Sequence, residues 1–133
     1  MSFAPGCSGS LPPARLVPRD TPRIGETLVV TLFDLPADLA LVCTGLSTSS
    51  TGALPLPIAL GPFGMPGCTA YVSPDHLLLL AGANQQATLH FAIPNQPALV
   101  GARFHQQAFV PDAGAGNPLL GVVSNAATAI VGH

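Results

Sequence analysis

Gln86-Ala87-Thr88-Leu89-His90-Phe91-Ala92-Ile93 alternates strictly along its length. In an extended chain that alternation turns Ala87, Leu89, Phe91 and Ile93 to one face and Thr88, His90 and Ala92 to the other. The segment therefore reads as a strand with one face on a core. Working outward, the same logic finds strands over Arg103–Val110 and Leu77–Leu80. Leu39–Ser47, Thr69–Ser73, Leu119–Ser124 and Thr128–Val131 follow, with a short first strand over Arg15–Val17. Gly25–Phe33 is apolar on both faces (Leu28, Val30 and Leu32; Val29 and Phe33), which predicts a strand covered on two sides. Leu54-Pro55-Leu56-Pro57-Ile58 interleaves Pro with apolar residues, so it reads as an edge strand or an extended polyproline-like run.

Between these runs lie turn signals: Leu35–Asp38, the polar loop Thr48–Gly52 and the Gly/Pro-rich loop Gly61–Gly67. The chain holds fifteen Pro and fourteen Gly, spaced as punctuation rather than clustered. A regular helix does not fit between them, because Pro removes a donor and clashes with the preceding turn. Eight to ten short strands at roughly 10-residue spacing predict an all-β, two-sheet antiparallel sandwich of jelly-roll or Greek-key type. Residues 1–13 are read as an irregular lead-in and 14–133 as one sandwich domain.

Charge narrows the function classes. Of 133 residues, four are Arg, six are Asp or Glu, and none is Lys, giving a net charge of −2. Scattered Arg without a basic patch argues against a nucleic-acid partner. Leu77–Ala83, the longest apolar run, is far below the roughly 18 residues that a membrane-spanning helix needs. A composition 48% apolar and 8% charged is the opposite of a disordered chain. No basic stretch followed by an apolar core opens the sequence, so either the chain starts after a signal peptide or it is a domain cut from a longer one.

Cys7 and Cys68 each follow Pro-Gly in turn-rich segments, a setting that suits a disulfide between the lead-in and a loop; an oxidising compartment would follow. Cys43 lies in an apolar strand and reads as a buried free thiol. With no Cys-x-x-Cys and no His beside a Cys, neither a metal nor another cofactor is expected. His76, His90 and His105 stand apart in sequence, although His90 and His105 would meet if their strands were neighbours; His133 ends the chain. No nucleophile elbow is present, and a spatial set such as Ser124, His105 and Asp112 is the remaining route to hydrolysis. Asp20, Asp34, Asp38, Asp75 and Asp112 read as turn formers. No catalytic residue is assigned. Gln106 and Gln107 share a strand, so one of them faces inward and needs partners, at a bulge or between sheets. Asn95 and Asn117, with Asn125, are strand-end residues whose bland reading is turn formation. Asn95, Gln106, Gln107 and Asn117 are the candidate polar binding positions, with surface glycan as the ligand class. A lack of Trp and a single Tyr weaken that option, since sugars stack on aromatic rings.

One resemblance covers nearly the whole chain, from Ala4 to Gly132. Its motifs are Pro5-Gly6-Cys7-Ser8-Gly9-Ser10, Gly25-Glu26-Thr27, Gly45-Leu46-Ser47 and Leu56-Pro57-Ile58-Ala59-Leu60 leading into Gly64-Met65-Pro66-Gly67-Cys68. They continue with Ile93–Gly101, Phe104, Gln107-Ala108-Phe109-Val110, Asp112, Gly121 and Ser124-Asn125. In these the chain resembles a recurrent β-rich domain of secreted, often multidomain proteins from planctomycete-like and myxobacterial bacteria. The resemblance implies a secreted module with Cys7 and Cys68 bridged and no established catalytic residue. Cys43 and His105 depart from it, where an apolar residue and a Tyr are more typical. The functional expectation is a non-enzymatic extracellular module for structure, assembly or adhesion whose partner is a copy of itself. A carbohydrate-binding module is the alternative.

Overall fold

The computed structural model describes residues 2–11, 13–19, 21–51, 54–118 and 120–132. Asp20, Leu119 and His133, each given a reading above, lie outside the described residues. The strands are β1 (Ser2–Ala4), β2 (Arg15–Pro18), β3 (Thr27–Phe33), β4 (Leu39–Gly45), β5 (Ser50–Thr51), β6 (Leu54–Pro55) and β7 (Ile58–Ala59). They continue as β8 (Thr69–Ala70), β9 (His76–Ala81), β10 (Ala87–Ala92), β11 (Arg103–Pro111), β12 (Gly121–Val123) and β13 (Ala126–Ile130). Short 3₁₀ turns at Gly61–Phe63, Pro97–Leu99 and Ala113–Ala115 are the helical pieces among the described residues. The chain is all-β.

Two antiparallel sheets form the sandwich. The larger has six strands in the order β1-β13-β11-β4-β9, with β12 beside β11; the smaller is β10-β3-β2. Their facing sides make one core. Leu16, Leu28, Val30, Leu32 and Leu89 from the small sheet meet Ala40, Val42, Phe104, Ala108 and Val110 from the large one. Phe91 stacks on Phe104 across the layers at 5.3 Å between ring centroids. The alternation of the opening segment holds: Ala87, Leu89 and Ile93 are buried while Thr88, His90 and Ala92 are exposed. β3 is the central strand of its sheet and is covered over most of both faces, as its double apolar pattern predicts.

The structure corrects the sequence reading at several places. Residues 1–13 are not wholly irregular, because Ser2 and Ala4 pair with Ala127 and Ala126 at the far end of the chain. Leu54–Ile58 is neither one strand nor one extended run. Leu54–Pro55 pairs with β5 and Ile58–Ala59 with β8, and the Leu56–Pro57 peptide between them is cis. The strand expected over 69–73 stops at Ala70. The strand expected over 119–124 covers only Gly121–Val123, since Leu120 sits in the left-handed region with φ 53°.

β12 and β13 run along β11 as one interrupted strand. Phe109 opposes Val123 and Gln106 opposes Ala127, so Gln107 and Ala108 face Ser124, Asn125 and Ala126. That extra residue is a β-bulge, which bends a strand and re-aims its side chains. Ser124, fully buried, closes the gap in the ladder: its N–H donates to Ala108 O and its Oγ accepts from Ala108 N, both at 2.8 Å. Asn125 is turned toward the other sheet. Its Oδ1 accepts from Leu16 N–H (2.6 Å) and its Nδ2 donates to Leu16 C=O (3.1 Å). The side-chain amide thus occupies the outer edge of β2 as a neighbouring strand would.

Candidate functional site

The catalytic set that sequence left open does not assemble. Ser124 is committed to the bulge, where its hydroxyl also donates to Asn125 O. Asp112 accepts from Ser10 N–H, Ser10 O–H and Gly114 N–H at 2.6–3.0 Å. Burial alone would raise its pKa, but these three donors hold the carboxylate below its usual range. His105 bonds Thr128 through Nδ1 at 2.8 Å. Burial, with the nearby Arg103 charge, lowers its pKa and so favours the neutral imidazole. His90 and His105 do not meet as strand neighbours either, since β10 and β11 belong to different sheets.

The candidate polar positions are dispersed in the same way. Gln106 points into the core and donates to Thr44 Oγ1. Gln107 is buried on the opposite face; its Oε1 accepts from Tyr71 N–H, and its Nε2 donates to Thr69 O and Ser124 O. Asn117 closes its own loop by bonding both backbone groups of Gly121. Asn95 alone of the four is exposed, in the loop after β10. Three of these amides therefore hold the fold. A broad cleft of about 600 Å³ lies between Pro18, Arg19, Thr21 and Pro22 on one side and Thr128–Ile130 on the other, with Arg19 as the charged residue on its described wall.

Cys7 and Cys68 stand 5.2 Å apart at Cα and form a disulfide spanning 61 residues of sequence. The bridge is buried against Met65 and Val123, and Val123 N–H donates to Cys7 Sγ. A Cβ on Gly6 would lie 2.6 Å from Val123 O, so the chain passes close enough for this only without a side chain. Cys43 is free, but it is half-buried rather than buried. β4 alternates, and with Ala40 and Val42 turned to the core, Cys43 falls on the outer face. Burial there pushes its thiol pKa up.

The feature that stands out is β9. It ends the large sheet, pairing with β4 on one side only. Its sequence is His76-Leu77-Leu78-Leu79-Leu80-Ala81, and Leu77 and Leu79 are 52% and 63% exposed on the outer face. Register places Leu77 beside Cys43 and Leu79 beside Leu41, so the exposed leucines continue an apolar face. The chain then enters the small sheet's edge strand β10 through a tight turn at Asn84-Gln85, closed by reciprocal Ala83–Gln86 bonds. Among the described residues, nothing like the Asn125 plug covers this side. At β2, by contrast, Asn125 occupies Leu16 and Pro18 has no N–H to offer.

Comparison with family models, with characterised proteins and with solved structures finds no match for this chain.

Proposed function

We propose that this protein is a non-enzymatic structural or assembly module that associates with copies of itself through the β9 edge. The observation that carries the reading is an open edge strand of four consecutive leucines with no protecting charge, proline or bulge. Natural sheets blunt their edges with such devices because unpaired N–H and C=O groups recruit other strands. This chain uses them at β2 and omits them at β9. The edge is also compatible with itself. In an antiparallel pair about a two-fold axis, leucine opposes leucine, and no like charges are brought together. Of the described charged residues, only Arg15 and Arg103 lie within strands, and neither is on β9 or on its neighbour β4. The dispersal of Ser124, His105 and Asp112 supports the non-enzymatic side of this reading. The Cys7–Cys68 pair is compatible with an extracellular setting.

Light scattering across a concentration series tests the proposal. Self-association predicts a mass above the monomer's 13.4 kDa that rises with concentration. Leu79→Lys, at an exposed position, should return the protein to monomer with its circular dichroism unchanged. A monomeric mass throughout the series overturns the reading, as does a Leu79→Lys variant that associates as well as the parent.

A further inference from the structure

Residues 54–74 form a strap over the outer face of the large sheet. It is fastened at separate points. The disulfide holds Cys68, Gln107 holds Thr69 and Tyr71, and Ser73 Oγ accepts from Ser47 N–H (3.1 Å) while donating to Asp75 (2.7 Å). Between these fastenings the strap does not settle onto the sheet. It leaves a pocket of about 230 Å³, partly open to solvent, with Cys43, Gln107 and Phe109 as floor and Leu56, Ile58, Ala70 and Val72 as roof. The exposed Pro74 lies at its rim.

The lining chemistry defines what fits. No charged residue contributes to the described wall. Gln107 is the one amide, and both its N–H groups and its carbonyl already have backbone partners. A polar ligand would therefore lose its hydration with nothing in return. An apolar one loses nothing, and it restores the dispersion contacts that both walls forgo across a void. Apolar cavities of about 150 Å³ stay dry and take up benzene, while drug-sized sites start near 300 Å³. This cavity falls between the two. We propose that it is a binding site for a small, uncharged, apolar molecule of about six to ten carbons. Cys43 sits in its floor and reports occupancy. The site lies beside β9, since Cys43 pairs with Leu77 there, but its described lining takes no residue from that strand.

Toluene is a suitable probe, with hexanoate as a charged control of similar size. Two readouts are followed: the midpoint of thermal unfolding, and the rate at which methyl methanethiosulfonate modifies Cys43. Toluene should raise the midpoint saturably by about 2–5 °C and slow Cys43 modification about fivefold or more; hexanoate should do neither. Ala70→Leu, which fills the cavity from the roof, should abolish both effects. Cys43→Leu fills it from the floor and should abolish the thermal shift, so the test survives if one variant misfolds. No saturable shift, or an equal response in the filled variants, overturns the proposal. An equal effect of hexanoate overturns the assignment of an uncharged ligand.

Discussion

Three residues carry roles that their neighbours in sequence do not announce. Asn125 beside Ser124 reads locally as a turn, and only the approach of β2, more than a hundred residues earlier, makes its amide a strand substitute. Asn125→Ala leaves the buried Leu16 N–H and C=O without this partner and should cost about 2 kcal/mol. Urea unfolding should show a lower midpoint with an unchanged slope. Thr31 is the converse case. Its Oγ1 is buried on β3 without a hydrogen-bond partner among the described residues. Thr31→Val keeps the β-branch and removes that unpaired hydroxyl, so it should stabilise by about 1 kcal/mol, measured as a rise of a few degrees by calorimetry. Asp112 makes stability depend on pH. Its pKa is depressed in the folded state, so its contribution is present above the unfolded carboxylate value of about 4 and is lost as pH falls through the folded value. Asp75, held down by Leu46 N–H and Ser73 O–H, acts in the same direction. Asp112→Asn should flatten part of the acid limb of a stability–pH curve, and an unchanged limb would remove Asp112 from it.

Among the elements, those with a strong local pattern were legible. The alternation of residues 86–93 located β10 and its inward face, and the double apolar pattern of residues 25–33 located β3 as a covered strand. What escaped was set by distant partners. β1 is a strand only because β13 accepts it, and residues 54–58 divide between two short ribbons because Pro55 and Pro57 cannot sustain a ladder. The bulge at Ser124-Asn125 depends on β11 and leaves no periodic signature. The tie between the lead-in and the loop at Cys68 was legible, because the shared Pro-Gly-Cys setting marked Cys7 and Cys68 as a pair; the strap and the space beneath it were not, since they are properties of packing. Opening the Cys7–Cys68 bridge releases a 61-residue loop and should cost about 4 kcal/mol on the chain-entropy account. Urea curves with and without reductant measure this. A thiol assay on the unreduced, denatured chain should find Cys43 alone.

For the molecule as a whole, the scarcity of charge acquires a location. Of the described charged side chains, all but Arg15 and Arg103 sit in turns and loops, and β9 carries none. Association through that edge should therefore respond little to screening. The dimer dissociation constant should change less than about twofold between about 50 mM and about 500 mM sodium chloride, and sedimentation equilibrium at the two salt concentrations decides this. A charged interface would weaken severalfold over the same range. β11 adds a consequence for biosynthesis. It is the hub of the large sheet, pairing with β4, β12 and β13, yet it is not made until residue 103. Until β11 is available, β4 has only β9 to pair with, so the large sheet cannot assemble although β2 and β3 of the small sheet are already made. Assembly of the large sheet therefore waits for β11 to leave the ribosome, so nascent chains stalled before β11 has emerged should be cut by protease within β4 and β9, and chains stalled after release of β13 should resist.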